Sequence, residues 1–190
     1  MNFGWFLVGF LILAVFERQL ERRFSQHAVR GERKMGWSSI ALYAGHALIY
    51  VATAGEFFLV RRDIRWPVTA VAVGLVVVSL VVRSVAIRTL GKFWSLHLEI
   101  RAGHQLVTGG IYRYLRHPAY AAIMLEVTAI PLVANAWYTL AFALLVYVPV
   151  LLLRWRQEER EMIGKFGQQY VEYARRVPAF FPLRWPRQGS

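Results

Sequence analysis

The chain has 190 residues, 57% of them hydrophobic and 18% charged, with a formal charge of +12. That is the length of one domain, and it is too apolar for an ordinary soluble one. Cysteine is absent, which excludes disulfides, a thiolate metal site and a cysteine nucleophile. The basic residues lie between apolar runs and not on one continuous patch, so an anionic membrane surface fits them and nucleic acid does not.

Five apolar segments follow one another. The first runs from about Phe3 to Phe16, short of the ~20 residues a span needs. Phe16, Leu20 and Phe24 keep a four-residue spacing, so the helix is expected to continue through ERQLERRF. No basic start precedes the run and no A-x-A-like site follows it, so it reads as a spanning helix that stays and not as a signal peptide. The second segment is Trp37 to Val60, and the third is Trp66 to Val82. The fourth is Tyr120 to Ala134 and the fifth Trp137 to Leu153. Asn135-Ala136 is all that separates the last two, which predicts a tight helical hairpin.

Lys and Arg follow the same division. The four connections and the C-terminal segment carry six, three, six, none and eight, so alternate sides hold twenty against three. The richer side is the cytoplasmic one. The expectation is an integral, multi-pass membrane protein with its N-terminus outside and its C-terminus cytoplasmic. The runs are too long for barrel strands, and backbone groups inside a bilayer must be satisfied internally. The fold class is therefore all-α, a helical bundle of about five transmembrane helices with a cytosolic-side cofactor cap. The division within a single membrane domain, 1–190, is 1–87 for three spans and their loops, 88–119 for a cytosolic cofactor segment, 120–153 for the hairpin, and 154–190 for a closing helix and tail.

The cap is expected from two polar stretches. One is HQLVTGGIYRYLRHPAY, from His104 to Tyr120, which is richer in aromatic and basic groups than a plain loop needs. Gly109-Gly110 permit a turn with positive φ or a close backbone approach to a ligand. Pro118 suits the first turn of the fourth helix, where its missing N–H costs nothing. Arg116 and His117 then stand at that helix's N-terminus. The other stretch begins RWRQEERE at Arg154, where Arg154 and Glu158 share a helix face; Pro178 ends the helix, with a break expected at Gly164 or Gly167. A solvated helix with ion pairs is the plain alternative. His97, His104 and His117 are spaced by seven and thirteen residues, which matches no compact metal-ligand motif, and no metal is assigned. His46 reads as a hydrogen-bonded structural histidine. Glu126 lies at membrane depth, where an acid costs about 2.5–3.5 kcal/mol to insert and faces a cavity or a partner. It is a functional candidate, beside the reading that it bonds another helix. No strand pattern and no G-x-G-x-x-G are present, which excludes a soluble-type dinucleotide or methyl-donor fold.

Taken in order, HQLVTGGIYRYLRHPAY, RWRQEERE and FGQQYVEYARRVPAFFP resemble the isoprenylcysteine carboxyl methyltransferase family, a relative of the membrane phospholipid N-methyltransferases. The resemblance covers roughly residues 92–182. It implies S-adenosylmethionine held in a cytosolic-side pocket that the C-terminal helix and tail close. By position, His104, Leu106 and Val107 would line the adenosine end, and Gly110 and Tyr112 the wall. His117 and Tyr120, with Pro118 fixing the turn, would hold the methionine end, and Glu158 or Glu159 its ammonium. Arg116 and Arg176 resemble arginines beside the methyl acceptor. Ala121-Ala122 stands where many relatives have glycine, which bears on helix packing. The implied partner is a lipophilic or prenylated substrate entering from the bilayer, with membrane lipids around it; oligomeric state is not legible.

A carboxylate acceptor is already ionised near neutrality and needs no strong base. A phenol or a phosphatidylethanolamine amine must lose a proton, and Glu126, His117 or Glu158 is then the base candidate. Carboxyl O-methylation of an isoprenylcysteine-type substrate is the first expectation. Phospholipid amine or lipophilic phenol methylation, an NADPH-dependent reductase, and a non-enzymatic scaffold or carrier are the others.

Overall fold

The computed structural model describes residues 3–26, 32–33, 37–60, 63–91, 99–100 and 106–181. Five long helices and one short one carry the architecture: α1 (Phe3–Gln26), α2 (Trp37–Val60), α3 (Trp66–Leu90), α4 (Pro118–Val133), α5 (Trp137–Phe166) and α6 (Gln168–Arg176). The predicted absence of strands needs one small correction. Glu32–Arg33 pairs antiparallel with Glu99–Ile100 over two residues, a bridge between connections and not a layer of the fold. Among the described residues, three helices are long and apolar enough to cross a membrane: Ile40–Val60, Trp66–Leu90 and Trp137–Phe166. Pro118–Val133 is apolar but shorter.

The helices alternate in direction, so the bundle has a hairpin end and a cap end. At the hairpin end Phe3 packs on Phe57 and on Trp66, with ring centroids 5.3 and 5.6 Å apart. At the cap end α2 begins, α3 ends, α4 begins and α5 runs out toward α6. Much of the outward surface is bare hydrocarbon, including Ile12, Val51, Val71, Val81 and Leu145. That pattern suits lipid contact and costs nothing in hydrocarbon.

Helices α3 and α4 pack along most of their length, and their sequences say why. The buried residues of α3 are Thr69, Ala72, Val76, Ser79, Arg83 and Ala86, spaced alternately three and four. Ala119, Ala122, Glu126, Ala129 and Val133 of α4 repeat that spacing. This is a seven-residue seam, and its alanines let two backbones approach closely. Ala122 is buried in that seam.

The hairpin turns where predicted. Asn135 adopts φ 53, a left-handed conformation that asparagine tolerates. Its side-chain oxygen accepts from Arg65 N at 3.0 Å and its amide donates to Thr69 Oγ1 at 3.0 Å, which ties the start of α3 to the turn. The exposed N–H groups that open α5 are met by Glu56: Tyr138 N and Thr139 N donate to its carboxylate at 3.1 and 2.8 Å. A carboxylate is favoured there by the helix dipole.

A π turn spans Ala143–Tyr147 within α5. It aims Tyr147 at α2, where Gly45 makes room; a Cβ on Gly45 would stand 2.9 Å from the Tyr147 ring. α5 continues unbroken to Phe166, about 45 Å at 1.5 Å per residue, well beyond a ~30 Å hydrocarbon core. Its apolar part ends at Leu153, and the rest projects past the bundle. Of the two predicted break points, Gly164 stays helical and Gly167 turns the chain at φ 55.

Candidate functional site

The first of two polar clusters lies inside the bundle. Glu126 accepts from Arg18 Nη2 at 3.0 Å, from Arg83 Nη1 and from Tyr50 Oη at 2.7 Å, with His46 Nε2 at 3.4 Å. Arg83 also donates to Glu17 at 2.7 Å, and His46 Nδ1 meets Tyr147 Oη at 3.0 Å. All five long helices contribute. Arg83 and Glu126 each retain 1% exposure. In this arrangement Glu126 is the hub to which side chains of three other helices bond. His46 is hydrogen-bonded, as expected of a structural histidine.

The second cluster lies at the cap end, about six residues and ~9 Å along α4 from Glu126. A 3₁₀ turn, Gly110–Arg113, leads into it. Gly110 has φ 57, and a Cβ there would stand 2.9 Å from Thr89 Cγ2. The positive φ is the turn geometry expected of this pair, and the crowding at Gly110 comes from the end of α3. Leu106 and Val107 are half-buried and lead into the turn; His104 lies outside the described residues. Tyr112 is buried, and its carbonyl accepts from Tyr173 Oη of α6 at 2.6 Å. Burial, then the charge of Glu158, push the Tyr112 phenol well above its ordinary range.

Pro118 opens α4 as predicted, with His117 as the preceding cap residue. The backbone N–H groups of Arg116 and His117 donate to the carbonyls of Pro178 and Ala179 at 2.9 and 3.0 Å. The tail after α6 thus closes against the start of α4. Side chains complete the closure. Glu159 accepts from Arg116 Nη1 at 3.0 Å, from His117 Nε2 at 2.5 Å and from Tyr170 Oη at 2.6 Å. Burial pushes the Glu159 carboxyl up. The hydrogen bonds from His117 and Tyr170 and the Arg116 charge outweigh it and hold the group at about 2.

Glu158 is placed differently. Its Oε2 accepts from Tyr120 Oη at 2.6 Å, while Oε1 stands 3.9 Å from His117 Nδ1. Its side chain is 30% exposed against 17% for Glu159. Trp155 and Phe180 flank His117, with centroids 6.2 and 6.3 Å from its ring and 4.8 Å from each other. Two buried donors here, Trp155 Nε1 and Arg116 Nε, have no hydrogen-bond partner.

Tyr112, His117, Tyr120, Glu158 and Glu159 are thus brought together from segments about forty residues apart. Arg116 belongs to the cluster, but its charge is engaged by Glu159. Arg176 is exposed in the last turn of α6. One residue beside the cluster was given no role from the sequence. Arg154 is buried one helical turn before Glu158, and its Nη1 donates to Ser38 Oγ at 3.4 Å. The four-residue spacing to Glu158 was a usable signal, but it cannot tell a buried arginine from a surface ion pair.

The isoprenylcysteine carboxyl methyltransferase family matches residues 72–164, which hold most of α3, the cap segment, α4 and α5. The chain resembles that family over those residues. Protein-S-isoprenylcysteine O-methyltransferase B of Arabidopsis thaliana is 29% identical over 164 residues, covering 82% of this chain and 83% of its own. The cobalt-zinc-cadmium resistance protein CzcN of Cupriavidus metallidurans is 36% identical over 124 residues, 62% of this chain and 54% of its own. A solved structure of the eukaryotic intramembrane Ras methyltransferase ICMT superposes with a TM-score of 0.61 at 22% identity, over 74% of this chain and 53% of that one. The chain thus spans about half the length of the latter two. It shares the fold of the solved structure.

Proposed function

We propose that the chain is an S-adenosylmethionine-dependent methyltransferase acting on a lipophilic acceptor that presents an oxyanion, most simply the carboxylate of an isoprenylcysteine-type molecule. The observation that carries the reading is the unequal pair at the cap. Glu159 is bound by three donors, while Glu158 keeps one oxygen open beside aromatic rings. The residues suit the donor. Its ammonium would take Glu158, and its carboxylate the unpartnered Trp155 Nε1 and Arg116 Nε. Its flat base would lie against the walls that Leu106, Val107, Gly110 and Tyr112 lead into, with His117, Pro118 and Tyr120 shaping the methionine end.

The donor supplies an electrophilic methyl group on a sulfonium. The protein's part is alignment and exclusion of water. Tyr120 orients Glu158. Trp155 and Phe180, backed by the Pro178 and Ala179 carbonyl bonds, shield the site. Arg154 is the acceptor's counter-charge in this reading. It is buried with the neutral side chains of Ser38 and Tyr120 as partners, whereas Arg116 already faces Glu159 and Arg176 faces water. The acceptor enters sideways between helices and the donor from the cap side, which the distribution of basic residues makes the cytoplasmic side.

Detergent-purified protein is expected to melt higher with S-adenosylhomocysteine and unchanged with NADPH. Transfer of labelled methyl to a farnesylcysteine analogue, phosphatidylethanolamine and an alkylphenol identifies the acceptor. A shift with NADPH alone would replace this reading with a reductase.

A further inference from the structure

His117 makes its side-chain hydrogen bonds through one nitrogen. Nε2 faces Glu159 at 2.5 Å, with Tyr170 Oη 3.3 Å away. A carboxylate on one ring nitrogen fixes the proton there, leaves a lone pair on the other and orients the ring. That lone pair, on Nδ1, points toward Glu158 Oε1 across 3.9 Å, too far for a hydrogen bond. Two acceptors therefore face one gap. A purely structural histidine bridging α4 to α6 has no use for this. A hydroxyl placed beside Nδ1 donates its one proton there and leaves Glu158 Oε1 to the donor's ammonium.

We propose that His117 and Glu159 form a general-base pair, and that the acceptors of this chain include lipophilic molecules with an acidic hydroxyl, an alkyl-chain phenol or enol. The inference rests on the methyl-transfer reading of the site. A carboxylate acceptor needs no base, so the pair marks an acceptor that must lose a proton. The acceptor's O–H proton passes to Nδ1, and the oxygen electron pair forms the new O–CH₃ bond. The C–S bond breaks, and its electrons remain on sulfur, which becomes a neutral thioether. Arg154 opposes the negative charge growing on the acceptor oxygen. The doubly protonated ring is held by Glu158 and Glu159 until water takes the proton. The ionisable groups facing the ring are Glu158 and Glu159 from α5, Tyr120 from α4, Tyr170 from α6 and the adjoining Arg116.

The test uses the full chain in detergent, with a long-chain alkylphenol and a farnesylcysteine analogue as acceptors and S-adenosylhomocysteine for calorimetry. The parent is expected to methylate the alkylphenol, with kcat rising with pH through one ionisation that the carboxylate acceptor does not show. Glu159→Gln is expected to lower the alkylphenol kcat at least tenfold more than the carboxylate kcat, since base catalysis contributes roughly 10²–10⁴. In ¹⁵N-histidine spectra the His117 signal, assigned by its loss in His117→Asn, is expected to show a bare Nδ1 in the parent and mixed tautomers in Glu159→Gln. Equal loss on both acceptors together with weaker S-adenosylhomocysteine binding would overturn the proposal, because Nδ1 would then serve the donor's ammonium. So would a parent that binds S-adenosylhomocysteine and gives no alkylphenol product. A parent that does not bind it at all refutes the methyl-transfer reading itself.

Discussion

Glu126 and Glu158 are the same residue type in opposite circumstances. Glu126 sits among five helices and takes bonds or close contact from Arg18, Arg83, Tyr50 and His46. Glu158, at the projecting end of α5, takes one bond from Tyr120 and keeps an oxygen open. An acid at membrane depth drew attention in the sequence as a functional candidate. The comparison teaches that depth alone says little. Saturated oxygens hold a fold together, and an oxygen left open beside unpaired donors is where a ligand fits.

The largest effect is expected at the hub. Glu126→Ala removes the buried carboxylate that Arg83 and Arg18 share, and breaking a buried pair costs about 3–5 kcal/mol. Loss of the monodisperse peak on solubilisation, or a steep drop in melting temperature, reads this out. Full retention of stability would erase the contrast between the two acids. Glu158→Gln should do the reverse. S-adenosylhomocysteine affinity falls about 10–100-fold, the span of ~1.5–3 kcal/mol for a bond to a charged group, with the melting curve of the unliganded protein little moved. Calorimetry beside a thermal melt separates the two.

Glu159 stands between these cases and titrates. Its pKa of about 2 lies below the ordinary 4.5, so its stabilisation is complete above about pH 4.5 and is lost as pH falls toward 2. The parent's melting temperature should decline through that window, and Glu159→Gln, already lacking the contribution, should decline less. The smallest effect is at the hairpin end. Glu56→Gln keeps an acceptor for one of the two N–H groups of Tyr138 and Thr139 and removes the charge at the α5 N-terminus, the charge being worth about 0.3–1 kcal/mol. A melt shift of a degree or two, with donor affinity untouched, fits that role.

Much of this was legible in the sequence because apolar runs and turn residues act locally. The five helices, the Asn135 hairpin, Pro118 at the head of α4 and the clustering of Tyr112, His117, Tyr120 and Glu158 all follow from short-range signals or ordered motifs. What escaped was pairing across the bundle. Arg18 and Arg83 were counted among the basic residues of connections, yet both lie in helices that outrun their apolar cores, and both turn inward to Glu126. The partner of a buried charge sits 43 or 108 residues away, and nothing in local spacing names it. The alternating three-and-four rhythm of Ala72, Val76, Ser79, Arg83 and Ala86 was present in the chain. It was hidden because α3 is apolar on every side, so no polar face marks the buried one.

The π turn at Ala143–Tyr147 sets a phase for everything beyond it. One residue is accommodated there in addition to a regular winding, and each residue of an α-helix turns the chain by about 100° and advances it ~1.5 Å. Deleting a single residue from that turn would rewind α5 and carry Trp155 and Glu158 to another azimuth, away from Tyr120 and His117. The orientation of the cap is thus encoded some ten residues upstream, in an irregularity at mid-bundle that touches no ligand.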